Sequence, residues 1–392
     1  MRKFKFYFAV ISLIAIGYGQ QNEAKTTDNT LPDVLKTIDG QTVNTVSAWE
    51  KKRRPEVLTL FENNIYGQTL KNYDSIKFTV THDVPNAVNG KAHLKEITMT
   101  VWKAHKFLDI HLTVFTPRNS KRPSPVFLLI NNENKNNADS SEKSRNDFGP
   151  VEMLLDSGYA IASVYVSDAA PDSKETYQNG VLQLYPDQVT ADNGMKAIGA
   201  WAWAASRAMD YFETDNEIDF NKVGIVGHSR GGKTALWAGA QDQRFAMVFS
   251  SCSGCTGAAL ARRQSGETVK AINTAFPHWF NNNYKKYNDN VDALPVDQHM
   301  LISLIAPRPV YTTSATQDLW ADPVGSYLSM VKAQKVYALY GKHSELTPDP
   351  PLPNTPIINS IFGYHIREGR HDLTAYDWGN FIRFANFNYF HQ

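Results

Sequence analysis

The sequence predicts an α/β fold, a mostly parallel central sheet sandwiched by helices, on three observations. Short apolar runs of β type alternate with helical patterns from Pro125 onward. One of those runs, Val223-Gly-Ile-Val, breaks through Gly227-His-Ser-Arg-Gly231 into Thr234-Ala-Leu-Trp-Ala-Gly-Ala, an apolar helical pattern. Asp318 and then His343, His365 and His371 follow that turn late in the chain. A strand, a sharp Gly-x-Ser-x-Gly turn and a helix, with acid and histidine after them, is the chain order of an α/β-hydrolase fold.

Met1-Arg2-Lys3-Phe4-Lys5 is basic, Phe6 to Gly19 is apolar, and polar residues follow. That sequence of parts reads as a signal peptide over residues 1–20, with a disordered linker over 21–30. Export to a periplasm or out of the cell is expected, without stable membrane insertion after cleavage. Residues 31–392 are expected to form a single catalytic domain, since no repeat or internal linker interrupts them. Leu31 to Gln68 reads as an N-terminal helical segment with Trp49, Leu58, Leu60 and Phe61 available to pack, and should lie against the sheet. Its basic run Lys51-Lys52-Arg53-Arg54 reads as a solvated helix face.

Lys77–Thr81, Ile97–Trp102 and Leu108–Phe115 alternate with period two, as antiparallel strands at one end of the sheet. Pro125–Ile130, Tyr159–Val166, Val223–Val226, Met247–Ser250, Pro309–Ser314 and Lys335–Tyr340 are continuously apolar, as parallel strands covered on both faces. Between them, Gly194–Phe212 is a helix with Trp201, Trp203 and Met209 in the core. Thr347–Pro356, with five prolines, is a stiff loop insertion.

Composition narrows the function. In 392 residues, Lys+Arg is 40 and Asp+Glu is 39, so no global field recruits nucleic acid or an acidic membrane surface. Two cysteines, Cys252 and Cys255, cannot make a disulfide scaffold. Zinc would need two more ligands nearby, which leaves packed thiols or one local disulfide. No His-Glu-x-x-His and no phosphate-cradling glycine loop is present, so no cofactor or metal is expected to be required. A monomer is the default.

Ser229 is the candidate nucleophile. Gly227 and Gly231 leave room for a strained turn that pushes its Oγ into the open. The bland reading is a serine capping the following helix. A serine hydroxyl needs a base, and His343, His365 and His371 compete for that role.

Six motifs in order carry a family resemblance: Gly227–Lys233, Gly266-Glu267, Phe276-Pro-His-Trp-Phe280, Ile305-Ala-Pro-Arg-Pro309, Asp318-Leu-Trp-Ala-Asp-Pro323 and Gly369-Arg-His-Asp-Leu-Thr-Ala-Tyr-Asp-Trp378. Together they resemble the glucuronoyl esterases of carbohydrate esterase family 15, in the bacterial branch, from about Leu31 to the C-terminus. The resemblance implies that His371 is the base and that His343 and His365 are ordinary loop histidines. Fungal members place a glutamate in Glu-Ser-Gly after the strand following the elbow; the matching residue here is Cys252. The acid's role then passes to Asp318, with Asp322 as rival; the bland reading of Asp322 is a turn residue before Pro323. The fungal disulfide positions are His228 and Asp372, which could pair as a charged contact.

The backbone N–H of Arg230, next after the nucleophile, is placed for an oxyanion, and the resemblance adds its guanidinium; such donors are worth about 3 kcal/mol each. Lys233, one turn beyond Ser229, should share the elbow's exposed face and reach the cleft. The resemblance makes Lys233, Glu267 and Trp320 ligands of the uronic acid. It implies hydrolysis of esters between glucuronic or 4-O-methylglucuronic acid side chains of xylan and lignin alcohols, through a uronoyl-serine intermediate. Two other readings stand beside it: an acetyl xylan esterase or broader carboxylesterase, and a non-catalytic glycan-binding protein on a hydrolase fold.

Overall fold

A nine-stranded sheet in the order β1-β2-β3-β5-β4-β6-β7-β8-β9 organises the chain. It was obtained as a computed structural model that describes residues 31–118, 120–132 and 147–390. The signal-peptide and linker readings (1–20, 21–30) lie outside the described residues. β1 (Ser75–Asn86), β2 (Ala92–Lys103) and β3 (Lys106–Pro117) form the antiparallel end, where period-two patterning places them. β4 (Ser124–Asn131), β5 (Ala160–Tyr165), β6 (Ile218–His228), β7 (Met247–Ser251), β8 (Val310–Ala315) and β9 (Phe362–Arg367) run parallel.

Alternation along each strand sorts the core into two layers. In β4, Val126, Leu128 and Ile130 face one layer, and Phe127 and Leu129 face the other. The first layer is closed by α1 (Arg54–Phe61), α2 (Ala197–Phe212), α3 (Arg230–Gln241) and α4 (Pro323–Leu339). The second is closed by α5 (Ala375–Phe390), whose Trp378, Phe381 and Phe384 surround Phe249 and Phe127. Burial on both faces is why these strands are continuously apolar.

Two strand readings need correction. Lys335–Tyr340 is the end of α4, not a strand. Its buried residues, Ala333, Val336 and Tyr337, recur at three and four, a helical period hidden inside an apolar run. The last strand is instead β9, which contains Gly363, His365 and Arg367 and so lacks an unbroken apolar signal. The basic run is also not wholly solvated. Arg53 Nε donates to Val34 O, while Arg54 reaches Leu304 O and Ala240 O, which ties the N-terminal segment to the domain. Among the described residues, no helix is long and apolar enough to cross a membrane.

Candidate active site

The C-terminal ends of β6, β7, β8 and β9 converge on the elbow. Ser229 sits between β6 and α3 with φ 56° and ψ −122°, a conformation that L-residues adopt only under strain. The glycines around it are sterically required. A Cβ on Gly227 would meet Gly231 O at 2.0 Å, and one on Gly231 would meet the Asn132 side-chain amide at 2.4 Å. The turn is pinned by Ser229 N–H donating to Ser251 O (2.8 Å) on β7. Ser229 is half-buried and α3 begins with its neighbour, yet its side chain makes no cap.

His371 lies on the loop between β9 and α5, exposed, with its ring against that of His228, centroids 4.5 Å apart. Its Nδ1–H donates to Asp318 Oδ2 at 2.6 Å. Asp318, at the end of β8, is buried. That pairing leaves Nε2 as the nitrogen available to a substrate or nucleophile. No hydrogen bond joins Ser229 Oγ to His371 among the described residues, and such contacts commonly tighten only when substrate is bound.

Asp322 is occupied elsewhere. Its Oδ2 accepts from Arg263 Nε at 2.9 Å, both side chains being 2% exposed, and its Oδ1 caps α4 through Gly325 N–H. It is a buried structural ion pair, not a partner of histidine. Nor do His228 and Asp372 pair. His228 Nδ1 meets Ser251 Oγ at 3.3 Å, and burial, with the neighbouring His371, pushes its pKa down to about 3. A neutral ring cannot make the charged contact suggested for it, and Asp372 Oδ1 instead accepts from Leu373 N–H.

His365 is likewise no loop histidine. It is fully buried in β9, between the Tyr311 hydroxyl (2.9 Å) and Asp377 Oδ1 (2.7 Å). Asp377 Oδ2 also accepts from Arg367 Nε (3.1 Å) and from the Thr374 N–H and hydroxyl (2.8 Å each). Arg367 Nη2 then donates to Arg370 O (2.8 Å) and Asp372 O (2.7 Å), the carbonyls on either side of His371. The loop carrying His371 is thus clamped from beneath by a buried cluster that motif reading treated as incidental.

Arg230 is held by a second cluster. Its Nη1 donates to Asp172 Oδ2 at 2.5 Å, and its guanidinium lies 5.2 Å over the Trp279 ring and 5.9 Å over Phe276, which stack on each other. Asp172 Oδ1 also accepts from His278 Nε2 and Trp279 Nε1, each at 2.7 Å. Burial would raise the Asp172 pKa, but the His278, Trp279 and Arg230 donors outweigh it and hold it at about 2. The Phe276–Phe280 motif therefore builds the platform for Arg230. Asp172, in a turn far away in sequence, gave no signal.

Lys233 departs from its reading. It is 4% exposed, not on an open face, and Nζ donates to Ser253 O and Cys255 O (2.6 Å each) with Glu267 Oε2 at 3.6 Å. Helix α3 is buried along most of its length, so one turn beyond Ser229 points into protein. Glu267 N–H donates to Trp320 O at 2.8 Å, and a Cβ on Gly266 (φ 66°) would meet the same carbonyl oxygen at 2.4 Å. Trp320 itself is 60% exposed, on the turn that follows Asp318. Cys252 and Cys255 are free, buried thiols, so the local disulfide is not formed.

The family model for glucuronyl esterases of fungal type matches residues 99–341. The chain is 40% identical to carbohydrate esterase MZ0003 of an unknown prokaryotic organism, covering 93% of this chain and 91% of that relative. It is 26% identical to a 4-O-methyl-glucuronoyl methylesterase of Schizophyllum commune, over 80% of this chain and 74% of that one. Its fold superposes on a glucuronoyl esterase of Solibacter usitatus with a TM-score of 0.86, at 37% identity and 94% and 100% coverage. A marine metagenomic esterase of the same family, described as promiscuous, gives 0.84 at 38% identity over 94% and 98%. With the elbow, the Asp318–His371 pair and the sheet order in place, these likenesses establish that the chain belongs to the glucuronoyl esterases of carbohydrate esterase family 15.

Proposed function

We propose that this esterase cleaves the C6 ester of glucuronic or 4-O-methylglucuronic acid side chains of glucuronoxylan by two-step acyl transfer on Ser229. The observation that carries the reading is the 2.6 Å bond from His371 Nδ1–H to buried Asp318, together with a strained Ser229 whose side chain does not cap the helix it precedes. Asp318 fixes the ring with Nε2 toward the elbow and stabilises the imidazolium. His371 takes the Ser229 proton as Oγ attacks the carbonyl, then gives it to the departing alcohol. Water enters by the same route and frees the uronic acid. The developing oxyanion is met by the Arg230 N–H and guanidinium, the latter pre-aimed by Asp172 and stacked on Trp279.

Trp320 supplies an exposed flat wall for the sugar, and Glu267 accepts from its hydroxyls. Lys233 contributes chiefly by holding Glu267 and the 253–255 carbonyls in place. Residues 31–392 act as one catalytic domain, residues 1–20 direct export, and the mature chain works as a monomer on lignin-carbohydrate esters. A broader ester scope is the second reading, favoured by the similarity to an esterase described as promiscuous. Replacing Trp320 and Glu267 separates the two. Selective loss of glucuronate-ester turnover supports the uronate reading, and equal retention of both ester types supports the broader one.

A further inference from the structure

A buried thiol, Cys252, lies beside the Asp318–His371 pair. One ligand atom each from Cys252, Asp318 and His371 lies within 4.8 Å of the others, so sulfur, carboxylate oxygen and imidazole nitrogen converge on one point. His371 is exposed while Cys252 and Asp318 are buried behind it, which gives the point an opening to solvent. Neither serine catalysis nor the fold requires this combination. Asp318 and His371 satisfy each other, and Cys252 N–H is bonded to Thr313 O (3.0 Å), which fixes the backbone that presents the sulfur.

We propose that Cys252, Asp318 and His371 form a three-ligand site for a thiophilic divalent cation, Zn2+ above all, that reversibly shuts off the esterase. Three protein ligands with a fourth position left to water is the coordination of open zinc sites. Bonds of about 2.3 Å to sulfur and 2.0–2.2 Å to nitrogen and oxygen put the ligand atoms roughly 3.4–3.6 Å apart around a tetrahedral ion. Small side-chain rotations achieve this by opening the 2.6 Å His371–Asp318 contact and drawing the sulfur closer.

As Sγ binds, the thiol proton goes to solvent. The ring binds as neutral imidazole with its proton on the other nitrogen, and the aquo-ion sheds the waters that the three side chains replace. A divalent cation binds the thiolate form of cysteine directly. The shut-off rests on the proposed roles of His371 and Asp318, whereas the metal site itself does not.

The test pairs a spectrum with a rate. Co2+ is titrated into the intact protein, where ligation by Cys252 gives a near-ultraviolet thiolate-to-cobalt band that Cys252→Ala and Cys252→Ser both lose. The remaining thiol, Cys255, is buried and serves as the internal control. In parallel, Zn2+ inhibition is measured for each variant against its own metal-free rate and reversed with a chelator. Half-inhibition should shift upward by at least about tenfold in both cysteine variants. A cobalt band that survives the cysteine substitutions, the absence of any band, or equal zinc sensitivity in wild type and variants would each overturn the site. A Cys252-dependent band in a protein without esterase activity would keep the site and overturn the catalytic reading instead.

Discussion

Replacing Asp318 by Asn should cost this enzyme a factor of about 10³ or more in kcat. The carboxylate accepts from His371 Nδ1–H at 2.6 Å and is buried, whereas one edge of the ring meets water. Opposite charges roughly 4 Å apart attract by about 4 kcal/mol at an effective dielectric of about 20. Water at the exposed edge of His371 screens part of this, leaving about 3 kcal/mol, or roughly 150-fold in rate. The amide adds a second defect. Its NH2 favours the tautomer with Nδ1 unprotonated, which puts the proton on Nε2 where the base should be, and loss of that tautomer alone is worth up to about 10⁴ in related triads. The assay is steady-state hydrolysis of a benzyl glucuronate ester by Asp318→Asn and Asp322→Asn in parallel. Asp322→Asn keeps an amide oxygen to cap α4 but removes the carboxylate that faces the buried Arg263 guanidinium, so it should lower the melting temperature while folded enzyme retains its turnover. Near-normal kcat for Asp318→Asn with loss in Asp322→Asn would refute the assignment.

Other outcomes follow from the same geometry. Arg367→Met removes the donors to Arg370 O and Asp372 O, so kcat should fall by about tenfold or more with KM little changed; a change confined to KM contradicts the clamp. Arg230→Ala should lower kcat by about 10²-fold, and Asp172→Asn by less, because the latter frees the guanidinium without deleting it. His228 is neutral when folded because burial, then His371, depress its pKa to about 3, yet it binds a proton in the unfolded chain below its ordinary value. Its contribution to stability is therefore constant above about pH 6.5 and falls by about 1.4 kcal/mol per pH unit between there and about pH 3. Denaturant unfolding of wild type and His228→Asn at several acidic pH values should show a shallower slope for the variant, and parallel slopes would contradict it.

Much of this was legible in the sequence where one local pattern dictates one structure. The three period-two strands, the elbow glycines and the helix from Ala197 belong to that class. Reading failed where a half-buried helix end looked like a strand, at Lys335–Tyr340, and where polar residues interrupted a buried strand, at β9. Ser229, Asp318 and His371 could be proposed because motifs mark them. Asp172, Asp377 and Arg367 could not, since their value comes from partners brought close only by the fold. Lys233 shows the converse: helical spacing placed it near the elbow but could not reveal that its side of α3 is buried.

The most direct test compares hydrolysis of benzyl glucuronate with that of p-nitrophenyl acetate by residues 31–392 and its Ser229→Ala variant. Turnover of the uronate ester, abolished by Ser229→Ala, is the expected result. Uronate-ester turnover that survives Ser229→Ala, or hydrolysis of the acetate alone, would contradict it.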